Sequence, residues 1–381
     1  MKIRLTAALG LSAALLLSAC AANESNNEAA PANTPAASDS APAENTETTE
    51  ATEEAPPAAS DLSGTLQGIG ASAQEVAQQT WGVGFQTANP NVTINYSPEG
   101  SGAGREAFIG GGADFAGSDR AFKLEEIADN SFGKCVDKPI NIPVYISPIA
   151  VVFNLEGVDS LNMDAATIAG IFKGEITKWN DPKIAAHNEG VELPDTAITA
   201  VHRADKSGTT GNFTGYLHAA AEDVWTEKGD DNWPYQEGEA ANQTQGVVSA
   251  VSNGVGAIGY VDASQAGDFS IVKVGADGKF FEPNAEAAAA IVENSPVEEG
   301  RAANDMAIAL DRTAEGYPIV LVSYLIACQD YQDDAVAELV KAYANYIVSA
   351  EGQKAAAERA GSAPLSATLT ENATKAISSI S

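Results

Sequence analysis

Two long β-rich apolar runs, Ile140–Phe153 and Tyr317–Ala327, bracket the middle of this chain and constrain its fold more than any other feature. Both read as strands. The chain leaves one body through the first and returns through the second, so the two runs look like hinge strands. One lobe is then residues 61–147 plus 318–381, and the other is residues 148–317. The roughly 320 residues available also exceed what a single hydrophobic core usually serves.

Within that frame, short strands alternate with helical patterns. Leu62–Gly70 and Val92–Tyr96 read as strands, each followed by a Gly/Ser turn and a helix, which is the βαβ rhythm of a mostly parallel sheet in an α/β protein. Ser72 stands three residues before Glu75, and Val76, Gln79 and Val83 follow at helical spacing, the pattern of a capping box. Gly100-Ser101-Gly102-Ala103-Gly104 precedes a short helix over 105–109; its glycines suit either close approach of backbone to a ligand or a tight turn. Ala113–Asp119 is a short strand ending in an acid, at the strand end where open α/β sheets bind ligands; an Asp there also serves as a turn or cap residue. Gly254–Tyr260 is a turn into a buried strand.

The N-terminal segment is of a different kind. Residues 1–19 have a short basic start (Lys2, Arg4), an apolar run too short to span a bilayer, and Leu17-Ser18-Ala19 before Cys20, the pattern of a secretory signal. A small residue directly before Cys20 resembles a lipobox, in which that Cys becomes the acylated N-terminus of a bacterial lipoprotein. The expected location is therefore the outer face of the cytoplasmic membrane, held there by lipid. Residues 21–60 contain no Leu, Ile, Val, Met or aromatic residue. Such a stretch cannot build a core, so 20–60 reads as a disordered acidic tether with a reach of roughly 35 Å as a flexible coil.

The net charge is −31, and no Lys or Arg occurs between Arg4 and Arg105. Nucleic-acid binding depends on neutralising phosphates with Lys and Arg, so that partner is excluded. An anionic ligand would meet an opposing global field and need local dipoles and one or two placed cations. Cys135 and Cys328 are an even pair outside the cytoplasm, either a disulfide or two buried thiols. His187, His202 and His218 are not at metal-ligand spacing, and neither a metal nor a cofactor is expected.

Arg203-Ala204-Asp205-Lys206-Ser207-Gly208-Thr209 sets a guanidinium just upstream of a Ser-Gly-Thr helix start, with Phe213, Tyr216, Leu217 and Ala220 continuing at helical spacing. Helix-start amides have no intrahelical acceptor and carry partial positive charge, so this is a ready oxyanion site. Ser207 alone could equally be an ordinary N-cap.

The order of G-x-G-A-S, G-S-G-x-G, A-D-F-x-G-S-D, I-F-x-G-x-I-x-x-W, R-A-D-x-S-G-T and G-A-I-G-Y-V from residue 61 to 381 closely resembles the phosphate-binding protein of the bacterial phosphate-specific ABC transporter. The resemblance implies a type II periplasmic-binding-protein fold, two lobes that close on inorganic phosphate and deliver it to a membrane permease, acting as a monomer and not as an enzyme. Carried over position by position, it implies Ser72, Ser101, Asp119, Arg203, Ser207, Gly208 and Thr209 as phosphate ligands, with Asp205 orienting Arg203. Ser72 is usually Thr in the family, Ala73 replaces a common aromatic, Lys206 a small residue, and Arg105 is additional.

Asp119 carries the selectivity argument. Phosphate near neutral pH retains a proton that a carboxylate can accept; sulfate has none, and a buried like-charge contact costs several kcal/mol. Arsenate is protonated like phosphate and is not excluded; sulfate and molybdate are the other oxyanion alternatives. A hydrolase using Ser207 with His202 or His218 lacks the G-x-S-x-G elbow, and the P-loop order is absent. An adhesin or sensor on the same fold is a further alternative. The four Trp residues read as packing.

Overall fold

The computed structural model describes residues 61–313 and 316–381. The signal, Cys20 and the tether lie outside the described residues. The first stretch forms β1 (Gly64–Gly70), α1 (Glu75–Ala88), β2 (Val92–Ser97), α2 (Ser101–Ile109), β3 (Phe115–Ser118), α3 (Leu124–Asp129) and β4 (Pro139–Phe153). There follow β5 (Ser160–Met163), α4 (Ala165–Phe172), α5 (Pro182–Ala185), β6 (Thr199–Arg203), α6 (Gly208–Ala220), β7 (Glu239–Ala241), α7 (Gln243–Asn253), β8 (Ala257–Asp262), β9 (Ser270–Ala276), β10 (Lys279–Phe281) and α8 (Ala285–Glu293). The chain returns through β11 (Val320–Cys328) and ends in α9 (Asp334–Val348), α10 (Ala350–Ala360) and α11 (Ala367–Ser378).

The strands join in the order β2-β1-β3-β11-β4-β8-β6-β7, with β9 also on β4 and carrying β5 and β10. Pairing is parallel at β1–β2, β1–β3, β6–β7, β6–β8 and β5–β9. It is antiparallel where β4 and β11 enter, because the chain runs out along one and back along the other. Every residue of β4 is buried, as its unbroken apolar run demands. Its first part pairs with β11 over Pro139–Pro148, and Ile149–Phe153 pairs with β8. One strand thus serves both halves of the sheet.

Helices cover the faces. Trp81, Trp179 and Trp225 are fully buried, and Trp81 donates Nε1–H to the Gly352 carbonyl at 2.8 Å, tying α1 to α10. Cys135 and Cys328 are bonded, fastening the loop before β4 to the end of β11. Closing a loop across a sequence separation of 193 removes unfolded-chain entropy of about 5 kcal/mol in the chain-entropy picture.

Asp262, at the end of β8 opposite Ile149, is fully buried; its Oδ1 accepts from Tyr145 Oη–H at 2.9 Å and Ser264 N–H at 3.0 Å. Burial pushes this carboxyl up to about 6. Because the folded value lies above the unfolded one, the penalty is absent below about pH 4, grows through the window, and is fully present above about pH 6, at up to about 3 kcal/mol. Asp262→Asn is therefore expected to raise the melting temperature at pH 7 and to converge with the parent at pH 4, as calorimetry at the two pH values would show; equal shifts at both would remove the carboxyl charge as the cause.

Candidate functional site

The C-terminal ends of the parallel strands β1, β3 and β6 point to one place, as expected for an open α/β sheet. Glycine makes their convergence possible. A Cβ on Gly70 would lie 2.0 Å from the Gly117 carbonyl oxygen, and one on Gly104 would lie 2.6 Å from Gly70 Cα, so β1, β3 and α2 meet backbone to backbone.

Ser207 caps α6, its Oγ accepting from Thr210 N–H at 3.3 Å. The amides of Gly208 and Thr209, one and two residues on, have no acceptor within the helix. A Cβ on Gly208 would lie 2.7 Å from Asp119 Cβ and 2.8 Å from Ser101 Oγ, so the start of α6 rests directly on those two residues. Ser101 Oγ accepts from Asp119 N–H at 3.1 Å, and Thr209 Oγ1–H donates to Asp119 Oδ2 at 3.0 Å. The structure thereby brings Ser101, Asp119, Gly208 and Thr209 into contact.

Arg203 is 3 % exposed and donates through Nε (2.8 Å) and Nη2 (2.5 Å) to the two carboxylate oxygens of Asp205. Burial works to raise the Asp205 carboxyl, but the guanidinium prevails and holds it below its ordinary value. Asp205 Oδ1 also accepts from Gln243 N–H at 2.8 Å, which fixes the pair from α7. Asp119 is 2 % exposed. Burial pushes its carboxyl up, against donors from Ser323 and Thr209 and the Arg203 charge.

Ser72 behaves differently from its sequence pattern. The capping box with Glu75 does not form: α1 has no side-chain cap and is preceded by a 3-10 turn over Ser72–Gln74. Ser72 Oγ instead accepts from Thr244 N–H at 3.1 Å and bonds Thr244 Oγ1 at 2.9 Å, at the start of α7. It connects to the rest of the site through Thr244 and its neighbour Gln243. A second correction concerns α2, which begins at Ser101 rather than Arg105, so Gly102 and Gly104 are helical. Their role is chain against chain. Gly100 has φ +100° and a Cβ there would lie 2.4 Å from Asp205 Oδ2; one on Gly102 would lie 2.3 Å from Lys206 Cβ, while Gly102 N–H donates to Lys206 O at 2.9 Å.

Four residues at the site carried no motif. Asn212 donates Nδ2–H to Asp119 O at 2.7 Å and Gly208 O at 2.9 Å; its position one turn after Gly208 was the available signal. Thr244 receives Ser72. Ser323, a polar residue in an apolar strand, donates to Asp119 Oδ1 at 2.6 Å. Asp231 pairs with Arg105, and with Arg120 Nε at 2.8 Å, joining the α2–β3 side to the loop after α6. Arg105 also donates to Ser118 Oγ at 2.6 Å. Lys206 pairs with exposed Glu106.

The histidines are engaged elsewhere. His202 Nδ1 bonds Arg203 O at 3.0 Å and its ring stacks on Trp233 at 4.7 Å between centroids; His218 Nδ1 bonds Trp225 O at 3.2 Å. The assembled groups are helix-start amides, hydroxyls and an anchored guanidinium as donors, with Asp119 as an acceptor, a set suited to an oxyanion that carries a proton.

Residues 45–351 match the PBP superfamily domain. Phosphate-binding protein PstS3 of Mycobacterium bovis is 35% identical over 295 residues, covering 75% of this chain and 79% of that protein. Phosphate-binding protein PstS 2 of Mycobacterium tuberculosis is 31% identical over 328 residues, covering 83% and 87%. Among solved structures, a high affinity periplasmic phosphate-binding protein (PfluDING) bound with phosphate superposes with a TM-score of 0.66 at 21% identity, over 81% of this chain and 92% of that one. The phosphate-binding protein of Stenotrophomonas maltophilia gives 0.64 at 19% identity, over 82% and 94%. At those identities the structures speak for the fold, a two-lobed periplasmic-binding architecture.

Proposed function

This chain belongs to the PBP superfamily and, within it, to the phosphate-binding PstS proteins, and on that footing we propose that it binds inorganic phosphate between two lobes and passes it to an ABC permease. The observation that carries the reading is the seating of the α6 start on Asp119 and Ser101, beside an Arg203 already anchored by Asp205.

Phosphate would accept from the amides of Gly208 and Thr209, from the hydroxyls of Ser101 and Ser207, from that of Thr209 in exchange for its bond to Asp119, and from the remaining donors of Arg203, while its own O–H donates a hydrogen bond to the Asp119 carboxylate. Ser72 would join by exchanging its bond to Thr244 for one to the anion. Ser72, Ser101 and Asp119 would come from the lobe of 61–147 plus 318–381, and the others from 148–317, so that the anion favours the closed state. The Arg105–Asp231–Arg120 pairing supports closure from the side. Cys20 would carry the lipid, and the tether would keep the monomeric domain within reach of the permease. A hydrolase reading gains no support: Nδ1 of His202 and of His218 bonds a backbone carbonyl, and Ser207 Oγ takes Thr210 N–H.

Titration calorimetry of the purified chain, freed of bound anion, tests this with phosphate, sulfate and arsenate at matched ionic strength. One-to-one phosphate binding at micromolar Kd or tighter, about −8 kcal/mol or more, is expected, without sulfate heat at neutral pH. Silence with phosphate would overturn the reading.

Gly102→Ala tests closure. Alanine suits a helix better than glycine by about 1 kcal/mol, so the fold should stand. Its methyl group would lie 2.3 Å from Lys206 Cβ, a contact that would join the two lobes, and at least a tenfold loss of phosphate affinity is expected by calorimetry, with an unchanged circular dichroism spectrum.

A further inference from the structure

Asp119 is the end of a buried polar chain that runs in one direction. Tyr343 Oη–H donates to Gln78 Oε1 at 2.9 Å, Gln78 Nε2–H to Gln74 Oε1 at 2.8 Å, Gln74 Nε2–H to Ser323 Oγ at 2.6 Å, and Ser323 Oγ–H to Asp119 Oδ1 at 2.6 Å. Tyr343, Gln74 and Ser323 are 0 % exposed and Gln78 is 1 % exposed. Gln74 also donates to Tyr324 O at 3.0 Å, so its amide nitrogen has two acceptors while its oxygen takes Gln78. Reversing any member would leave a buried donor or acceptor without a partner, away from water that could replace it. The Ser323 proton therefore has one destination, Asp119 Oδ1.

We infer that Ser323, locked by Gln74 and Gln78, is a specificity-determining residue that holds Asp119 as a proton acceptor and so decides which oxyanions the site admits. This rests on the phosphate reading above. A carboxylate that receives a fixed O–H on Oδ1 stays an acceptor at Oδ2, where Thr209 already donates. An acceptor welcomes an oxyanion that brings a proton and repels one that does not. Were Asp119 instead a neutral acid, it would donate, and fully deprotonated sulfate would fit.

The charged and titratable groups facing Asp119 are Arg203 from β6, Asp231 held by Arg105 and Arg120, and Tyr96 from β2. Burial and Asp231 favour the neutral acid; the Ser323 and Thr209 donors and Arg203 favour the carboxylate. Loss of the Ser323 donor therefore moves the protonation of Asp119 to higher pH. The chain also polarises each bond along its length, so loosening Gln74 weakens the last link.

The experiment is calorimetric titration of phosphate and sulfate from pH 5 to 8.5 for the parent, Ser323→Ala, Ser323→Thr and Gln74→Leu. The parent should bind phosphate throughout and sulfate only toward the acid end. Ser323→Ala should carry the sulfate-binding limb about one pH unit upward, equivalent to tenfold tighter sulfate at fixed pH on that limb, with the phosphate-to-sulfate ratio falling at least tenfold. Ser323→Thr should restore the parent profile. Gln74→Leu, which keeps the hydroxyl and frees it to turn, should move the limb in the same direction by less, and it serves if Ser323→Ala does not fold. A sulfate limb that stays in place in the folded variants, whatever happens to phosphate affinity, would overturn the inference and reduce the chain to structural support. Absence of phosphate binding in the parent would overturn the functional reading itself, and the inference with it.

Discussion

Replacing Arg203 by alanine should lower phosphate affinity by about two to four orders of magnitude. Asp205 occupies Nε and one Nη2 direction of the guanidinium, which leaves its other N–H groups for a ligand. Hydrogen bonds to charged partners contribute about 1.5–3 kcal/mol each, so losing two costs roughly 3–6 kcal/mol. At about 1.4 kcal/mol per tenfold, that is a loss of roughly a hundredfold to ten-thousandfold. The change also leaves Asp205, partly buried beside the site, with Gln243 N–H as its remaining donor and a negative charge facing the incoming anion. Arg203→Lys should recover only part of the loss, because a single ammonium cannot serve two carboxylate oxygens in a fork and still reach the ligand. Calorimetry on variants checked by circular dichroism decides it; a change within about threefold for Arg203→Ala would take this residue out of the phosphate site.

Asp119→Asn should change the choice of anion more than the affinity for phosphate. The amide keeps the shape of the carboxylate and can still accept from Ser323 through its oxygen, while its nitrogen donates where Oδ2 accepted from Thr209. A donor in that position no longer repels sulfate. Since the buried like-charge contact it removes costs several kcal/mol, the phosphate-to-sulfate ratio is expected to fall at least about a hundredfold. The sulfate affinity of this variant should also lose its dependence on pH, because the group that titrated is gone. That separates it from Ser323→Ala, in which the carboxyl remains and its titration moves. Unchanged selectivity in Asp119→Asn would sink the proton-acceptor account of discrimination.

The two kinds of residue at this site differ in how far apart in the chain their causes lie. Ser207 as a cap, Arg203 beside Asp205, and the helix from Gly208 are matters of a few residues, and their signals stand in the sequence. The crossings β4 and β11 were legible for a related reason: an unbroken apolar run has no solvent face, so it must lie inside wherever the chain goes. Ser72 shows where local reading fails. Glu75 three residues on is the pattern of a cap, yet the hydroxyl bonds Thr244, 172 residues away. The glycines of 100–104 pointed to a ligand or a turn; Gly100 and Gly102 admit Asp205 and Lys206, far downstream in the chain, and Gly104 admits Gly70.

The sequence by itself therefore determined several of the elements, the buried crossings, the secretory pattern at the start and the helix terminus that makes an anion site possible. Only the tertiary structure decided that Cys135 meets Cys328, that Asp231 answers Arg105 and Arg120, and that a chain of buried amides ends on Asp119. Caps, periodicity and turns are set by backbone geometry over a few residues. A buried polar group takes whatever partner the closed fold sets beside it, and short-range pattern carries no record of that choice.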